Sequence, residues 1–533
     1  MGGSASSQPR AWVFAQTTSD YRARMQSTVV KLGGLGLIGL TACLGPNPRI
    51  DAGELGSESA TSDPGHGDPG DGDGDTSDGD TSDTSDTDTD TGTGDPTPTH
   101  CDNQVLDGDE TDVDCGGSCS GCAPGAGCLE PGDCEAQVCE ANVCAAPTCV
   151  DGVHNGDEID VDCGANCRFC THSEYIEELD DVDDHVIIGD VAMFEDGVFA
   201  VLYLPIEPLE FQLRWFDEFA MPISDGLPAS SEITLPSFAF PALAATGELD
   251  THLVYAAISG EDATSTSKDV FAVGRGPDTP ESHWSIYKGP VAVTSTDIGI
   301  DGDVATVVWE QNGEVFLRRY NYALNIPVGL ATRANPDFAL RPGDAPTLAQ
   351  RNGLTVVAWI VCEGVDNCDV ELRSFEFDWI EDAPVALNLA SEQYVNPQLA
   401  IAEDDRVAVV FGGGDNGDRK VLATLLNPGL TPNGVPWLLQ GGLTGAIPSA
   451  DVVALDDGSF AFAWPDETDN RVHIRRFVGP ELPVVTDVGD EAPWPATNAP
   501  VVVRLAASNG LVTAVWGAGV DDVFAVQGQV LSY

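Results

Sequence analysis

Fifteen cysteines are the residues of this 533-residue chain whose type and spacing could do the most chemistry. Twelve of them fall into two units of the spacing C-x13-C-x3-C-x2-C and a group of four between the units. Thiolates in C-x2-C pairs can bind zinc, whereas thiols of an exported protein oxidise to disulfides. We expect disulfides, and the pairing stays open because four cysteines allow three pairings. The cysteines expected to pair are Cys101, Cys115, Cys119, Cys122, Cys128, Cys134, Cys139, Cys144, Cys149, Cys163, Cys167, Cys170, Cys362 and Cys368.

Acidic residues repeat in register between the first two cysteines of each unit. Their oxygens alternate along the chain as the ligands of loop calcium sites do, and extracellular sites of this kind bind calcium at roughly 0.1 to 1 mM. The other interpretation is a hydrated acidic turn that holds no ion. We predict no cofactor, and calcium is the one ion that these residues could bind. Its candidate ligands are Asp107, Asp109, Asp112 and Asp114 in the first unit, and Asn155, Asp157, Asp160 and Asp162 in the second.

Small disulfide-rich modules must position these groups, because segments this short cannot bury a sizeable apolar core. We predict three modules, over residues 101–122, 128–144 and 149–170, within a region that ends at residue 171. The first and third contain Gly108-Asp-Glu-Thr-Asp-Val-Asp-Cys115 and Gly156-Asp-Glu-Ile-Asp-Val-Asp-Cys163. They resemble the Gly-Asp-Glu-Thr-Asp-Val-Asp-Cys-Gly-Gly modules of surface proteins of myxobacterial type. The resemblance implies an exported protein and leaves its activity open.

A short apolar run ends at Leu40-Thr41-Ala42-Cys43 and follows Lys31. It is too short to span a bilayer, which takes about 20 apolar residues. The order of a basic residue, an apolar run and small residues resembles the signal peptide of a bacterial lipoprotein. That resemblance implies removal of residues 1–42, lipidation of Cys43, and a membrane partner reached through the acyl chains. Leu44 behind it implies sorting to the outer membrane or cell surface. Met25 is an alternative start, and an apolar helix packed on a domain is the alternative interpretation.

Residues 43–100 contain the lipidated cysteine and a linker of Asp, Gly, Ser, Thr and Pro, which we predict to be disordered because it has little apolar surface to bury. The formal net charge of the chain is -64, and no Lys or Arg lies between Asp51 and Asp162. This charge excludes nucleic acid as a partner, since phosphates would be repelled.

Residues 172–533 repeat with a period of about 50 residues. An aromatic residue closes an apolar strand in each repeat, and successive aromatics are 52, 54, 50, 52, 53 and 52 residues apart. Asn-Gly and Asp-Gly pairs before these strands predict two-residue hairpin turns. Four antiparallel strands per repeat are typical of a propeller blade, so we predict an all-β chain with a seven-bladed β-propeller. The aromatics are Tyr203, Tyr255, Trp309, Trp359, Phe411, Trp464 and Trp516.

The last repeat has only three predicted strands before the chain ends at Tyr533. We predict that residues near His172 to Val182 supply the fourth strand and close the ring. The tryptophans could form a ladder that stacks on sugars, but their place on the most apolar strand favours packing between blades. His473 is predicted to face solvent, and Cys362–Cys368 to staple the loop after Trp359.

No catalytic motif of the types His-Glu-x-x-His, Gly-x-Ser-x-Gly or Walker A is present, nor is the Ser-x-Asp-x-Gly-x-Thr-Trp turn of sialidases. We therefore predict a non-catalytic propeller that binds an extracellular protein, a glycan or a cell-wall partner. The alternative is a propeller glycosidase or polysaccharide lyase, whose acidic residues would converge on the central channel from different blades.

Overall fold

The computed structural model describes residues 100–533 with gaps, and the predicted signal peptide, Cys43 and the linker lie outside the described residues. The gaps are residues 165–166, 168, 173–185, 206–210, 225, 229–232, 235–241, 247–252, 263–267, 278–281, 290, 292, 294, 337–342, 364–367, 377–382, 388, 390–393, 416–417, 444–447, 467, 469–470, 478–493, 496–499 and 521–522.

The cysteine-rich region consists mainly of turns. Within its described residues, regular structure is limited to one turn of 3₁₀ helix and three two-residue strands. Asp133 ends the 3₁₀ turn, and its carboxylate accepts hydrogen bonds from the amides of Leu129 and Glu130 at 2.8 and 3.0 Å. The elements are the 3₁₀ turn Pro131–Asp133, the hairpin of β1 (Cys139–Glu140) and β2 (Val143–Cys144), and β3 (Cys170–Thr171).

The rest of the described chain is an all-β propeller arrangement. Antiparallel strands follow one another within each sheet, as in sheet 1, whose order is β4-β5-β6-β7. In sheet 2 the short β8 pairs with β10 beyond the end of β9. The strands of the first three sheets are, for sheet 1, β4 (Val186–Met193), β5 (Phe199–Pro205), β6 (Gln212–Phe216) and β7 (Leu227–Pro228); for sheet 2, β8 (Ile233–Thr234), β9 (Ala242–Thr246), β10 (Leu253–Asp262), β11 (Lys268–Arg275) and β12 (Ser282–Gly289); and for sheet 3, β13 (Ser295–Asp301), β14 (Val304–Gln311), β15 (Glu314–Asn321) and β16 (Ile326–Arg333).

The next three sheets repeat this pattern. In sheet 5 both β24 and β25 pair with β23. The strands are, for sheet 4, β17 (Gly343–Arg351), β18 (Leu354–Cys362), β19 (Cys368–Phe375) and β20 (Val385–Ala386); for sheet 5, β21 (Tyr394–Ile401), β22 (Val407–Asp415), β23 (Asp418–Asn427), β24 (Thr431–Pro432) and β25 (Trp437–Leu443); and for sheet 6, β26 (Asp451–Ala454), β27 (Phe460–Asp466), β28 (Arg471–Phe477) and β29 (Trp494–Pro495).

Six sheets thus come from continuous segments of chain, whereas the remaining one is composite. Sheet 7 has the order β3-β32-β31-β30, with β30 (Pro500–Ser508), β31 (Leu511–Val520) and β32 (Val523–Ser532). Cys170 pairs with Ser532 and Thr171 with Leu531, so the last sheet takes its fourth strand from the end of the cysteine-rich region. The prediction places the returning strand near His172 to Val182, and residues 173–182 lie outside the described residues. Strand β3 ends just before His172, whose amide donates to the carbonyl of Val530 at 3.1 Å.

Each sheet packs on the next through a shared apolar cluster. Phe199 and Val515, for example, belong to one cluster, which joins sheet 1 to sheet 7. The first strands of successive sheets also contact one another in a cycle that returns from β30 to β4. The first strands therefore form the inner wall of the arrangement.

The repeating aromatics lie in these clusters. Of the seven predicted, all except Tyr255 have described side chains, and none of those six is more than 2% exposed. A fully buried indole has no face free for a sugar, so the alternative of a sugar-binding ladder is wrong and the packing prediction is confirmed. Asn352 and Gly353 have φ angles of 51° and 83°, as the two-residue hairpin turn requires.

Candidate functional site

All fourteen cysteines expected to pair are in disulfides. The first and third modules have the same connectivity, in which the first cysteine pairs with the third and the second with the fourth. The middle module has it too. The pairs are Cys101–Cys119, Cys115–Cys122, Cys128–Cys139, Cys134–Cys144, Cys149–Cys167, Cys163–Cys170 and Cys362–Cys368.

Two groups in the described residues bring three side chains of metal-binding type together. They are His100 with Cys101 and Cys119, and Cys128 with Cys134 and Cys144. Every cysteine in them is oxidised, and a disulfide sulfur is not a thiolate ligand. The zinc interpretation therefore does not hold for these groups.

The acidic residues of the first module accept hydrogen bonds from the chain around them. Asp114 accepts the amides of Asn103 and Gln104 at 2.8 and 2.9 Å. Asp109 accepts the Ser118 hydroxyl at 2.8 Å, and this bond is the largest effect that lowers its pKa.

Asp112 accepts the amide of Gly127 at 2.7 Å, which also lowers its pKa, and Asp107 accepts the side-chain amide of Asn103 at 3.3 Å. These carboxylates thus hold the turns of the first module together through hydrogen bonds.

The third module repeats part of this arrangement. Asp162 accepts the amide of Gly152 at 2.9 Å, and Asp160 accepts that of Val161 at 2.7 Å. The side chain of Asn155 donates to the carbonyl of Ala136 at 2.8 Å. Within the described residues the eight predicted ligands, Asp157 included, do not fall into either compact group of metal-binding side chains. Calcium binding stays a prediction.

A group of interacting titratable side chains lies on the inner strands of the propeller. Asp190, Asp297 and Asp451 occupy the same register position in sheets 1, 3 and 6, each opposite the residue just before the repeating aromatic. Arg504 has this position in sheet 7, and the four charges act on one another. We call Asp190, Asp297, Asp451 and Arg504 the axial cluster.

Each axial aspartate bridges its own strand and the next sheet. One oxygen of Asp190 accepts the amide of Val191 at 2.9 Å, and the other accepts the amide of Leu243 in sheet 2 at 2.7 Å. Asp297 bonds Ile298 and, in sheet 4, the amide of Leu348 and the Thr347 hydroxyl, each at 2.7 Å.

Asp451 does the same for Val452 and, in sheet 7, Leu505, each at 2.8 Å. These bonds tie each of the three sheets to the one that follows it.

The enclosure of these carboxylates makes them weak acids. Desolvation raises the pKa of Asp190 to about 7 and that of Asp451 to about 6, while the positive charge of Arg504 opposes both shifts. Desolvation also raises the pKa of Asp297, against the hydrogen bonds that it accepts. Near neutral pH the cluster therefore contains carboxyl groups close to their midpoint of protonation.

No residue of the axial cluster is among the site residues predicted from the sequence. A signal for it exists, because each axial residue precedes the repeating aromatic of its sheet by twelve or thirteen positions. Aligning the repeats on the aromatics would have placed the three aspartates and Arg504 in one column. Only the closed arrangement of strands shows that these four side chains lie close enough for their charges to interact.

The prediction that His473 faces solvent is wrong. Its ring stacks on Trp464 with centroids 5.6 Å apart, and its Nε2 lies 3.9 Å from Asp466. Gln440 joins the indole of Trp464 to Asp466 by hydrogen bonds of 3.3 and 3.0 Å. The alternation along β28 is correct, but the neighbouring strand covers this part of it.

No family model matches the chain, and no curated protein matches it. Solved structures do, with low identity. A protein of unknown function from Dyadobacter fermentans is 9% identical with a TM-score of 0.39, covering 68% of this chain and 99% of that one.

The polysaccharide lyase Uly1 is 7% identical with a TM-score of 0.41, covering 64% of this chain and 89% of that one. A Trypanosoma rangeli sialidase in complex with sialic acid is 11% identical with a TM-score of 0.36, covering 58% and 55%. At these values the strand ladders of the chain itself carry the fold assignment. Among the described residues no helix has the length and apolar character needed to cross a bilayer.

Proposed function

We propose that this chain is an exported lipoprotein, attached to the outer membrane through Cys43 and exposed at the cell surface, whose propeller binds an extracellular protein or glycan without transforming it. The resemblance at Leu40-Thr41-Ala42-Cys43 supports the anchor. The seven disulfides support an oxidising compartment, since cytosolic thiols stay reduced. In this proposal the sheets are the seven blades of one closed ring.

One observation carries the non-catalytic part of the proposal. Both oxygens of Asp190 and of Asp451 accept backbone amides, one of them from the next sheet. A general acid or base must reach the substrate proton at hydrogen-bonding distance, directly or through one water. Carboxylates that hold neighbouring blades together are already engaged in a structural role.

The anchor is tested by metabolic labelling. Cells that express the full chain and are fed a radioactive fatty acid should give a labelled protein in the outer-membrane fraction. The Cys43→Ala variant should be unlabelled. Equal labelling of both proteins would exclude Cys43 as the lipidated residue. Protease added to intact cells distinguishes the cell surface from the inner face of the outer membrane.

Binding is tested with a soluble form that begins at residue 43 and carries Cys43→Ser. It must include Cys170–Thr171, because these residues form the fourth strand of sheet 7. We expect retention on an array of bacterial and extracellular polysaccharides or on one class of surface protein. Absence of saturable binding to every member of both panels would contradict the proposal.

The alternative is a carbohydrate-active propeller, and the raised pKa values favour it. A carboxylic acid with a pKa of about 7, as at Asp190, could donate a proton near neutral pH. The same soluble form would be incubated with a polysaccharide panel, with reducing ends and new unsaturated ends measured separately. Turnover that disappears in Asp190→Asn while the fold is retained would establish the enzyme and exclude the non-catalytic proposal.

A further inference from the structure

The end of the third cysteine module is built into the propeller. Phe169 is 3% exposed and packs in the apolar cluster of sheets 6 and 7 with Leu505 and Trp516. Its ring meets that of the C-terminal residue Tyr533 edge-on, with centroids 6.3 Å apart. Strand β3 follows directly, so the chain enters the propeller core before the first sheet begins.

The same segment bridges the last sheet and the first. The amide of His172 donates to Val530 of sheet 7 at 3.1 Å, and its ring stacks on Phe219, which follows β6 of sheet 1, at 5.3 Å. Residues 169–172 therefore lie at the junction where the two ends of the propeller meet. We call Cys170–Thr171 the closing strand.

A two-residue strand is a weak closure by itself, because it adds few hydrogen bonds to the edge of sheet 7. Cys170 is also covalently bound to Cys163, whose module is further constrained by Cys149–Cys167. A disulfide limits the conformations open to the detached chain, and so favours return of the strand to its place. The closing strand is in this way attached to a module that contains two disulfides.

We propose that the Cys163–Cys170 disulfide is the covalent restraint that keeps the propeller closed, and that its reduction opens the junction between sheets 7 and 1. A thiolate of an added dithiol attacks one sulfur, a mixed disulfide forms, and the other cysteine leaves as a thiolate. The second thiol of the reagent then displaces the first cysteine. The protein disulfide gains two electrons and two protons, and the dithiol is oxidised to its cyclic disulfide.

Burial predicts the order in which the bonds react. Both Cys163 and Cys170 are only 7% exposed, whereas Cys362 is exposed, and Cys115 of the equivalent first-module bond is half-buried. Exchange requires access to a sulfur, so the exposed Cys362–Cys368 bond should be reduced first and Cys163–Cys170 among the last. The propeller should stay closed until Cys163–Cys170 is reduced.

The matched control is inside the same chain. Cys115–Cys122 has the same sequence separation of 7 as Cys163–Cys170 and the same place in its repeat, but its module does not contribute a strand to the propeller. Residues 43–171 contain no tryptophan, so tryptophan fluorescence of the soluble form from residue 43 reports the propeller alone. We expect the double variant Cys163→Ser with Cys170→Ser to lower the fluorescence Tm by about 5 °C, and Cys115→Ser with Cys122→Ser to leave it unchanged.

The wild-type protein gives a second measurement that needs no variant. Samples are taken during reduction with a dithiol, alkylated, and mapped by mass spectrometry while the fluorescence is followed. Loss of the native signal together with alkylation of Cys163 and Cys170 supports the proposal. A native signal and unchanged Tm after both are alkylated would overturn it, as would an equal effect, or no effect, of the two double variants.

Discussion

Asp190 gives the propeller a pH-dependent stability that can be isolated by one substitution. Desolvation raises its pKa from an ordinary value of 3.8 to about 7. The folded protein therefore holds this proton more tightly than the unfolded chain does. The stabilisation is complete below the unfolded pKa, and it is lost as the pH rises through the folded pKa of about 7.

The magnitude follows from the two pKa values. One pKa unit corresponds to 1.36 kcal/mol, so between pH 5 and pH 8 the free energy of unfolding should fall by about 2 to 3 kcal/mol on account of Asp190. For a domain of this size such a change moves the Tm by about 5 °C. Other acidic groups also respond to pH, because the chain has a net charge of -64. For groups outside the axial cluster, this contribution is common to wild type and variant.

The assay is the difference in Tm between Asp190→Asn and wild type, measured from pH 5 to pH 8 at constant ionic strength. An asparagine offers one acceptor oxygen where Asp190 offers two, to Val191 and Leu243, so the variant should be less stable at pH 5. The difference should then move by about 5 °C in favour of the variant as the pH rises to 8.

Asp456→Asn serves as the control, because exposed Asp456 accepts the amide of Gly510 in the next sheet at 3.2 Å. It measures the offset caused by replacing an exposed carboxylate that accepts an inter-sheet bond. If the difference for Asp190→Asn were constant to within 1 °C across the range, burial would not set the proton affinity of Asp190, and the reasoning about the axial cluster would fail.

Three further predictions address the core, the C-terminus and the modules. Trp359→Ala should lower the free energy of unfolding by about 3 to 5 kcal/mol in denaturant titrations, because the side chain is fully buried between sheets 3 and 4. The control Leu330→Ala, at a residue that is 82% exposed, should change the free energy of unfolding by less than about 0.5 kcal/mol. Deletion of Tyr533 should lower the Tm by several degrees, because its hydroxyl accepts the amide of Asp456 at 3.0 Å and Arg476 lies 5.2 Å from its ring centroid. Tyr533→Phe keeps the ring and should lower the Tm less. An equal loss of Tm in the two variants would mean that the ring contributes nothing. Isothermal titration of the soluble form should give heat of calcium binding at millimolar concentration that is reduced in Asp109→Asn; no heat in the wild type would refute the calcium prediction.

Much of the fold could be predicted because its signals are local and repeated. The spacing of the aromatics from Tyr203 to Trp516 indicates the repeat, and Asn352-Gly353 marks a hairpin turn by its need for positive φ angles. The burial of the tryptophans follows from their place on the most apolar strands. Each of these signals depends on residues that are neighbours in the chain, which is why periodicity detects them.

The disulfide pairing, the bounds of the closing strand and the axial cluster could not be predicted in the same way. Four cysteines in one module allow three pairings, and the residue types alone do not choose among them. Cys170–Thr171 has the composition of a module end, and its strand pairs with Leu531 and Ser532 at the other end of the chain. The contacts that decide these features are long-range, so no local pattern contains them.

By itself, the sequence determined the order of the parts: an expected anchor at Cys43, an acidic linker, three cysteine modules and a repeating all-β region. Only the tertiary structure decided that the modules continue into the propeller through Cys170 and that Asp190, Asp297 and Asp451 act on one another's charge. The physical reason is closure. Closure brings the last strand beside the first, so residues from opposite ends of the folded chain become neighbours. The burial of these residues, and the interaction between their charges, depend on that closure.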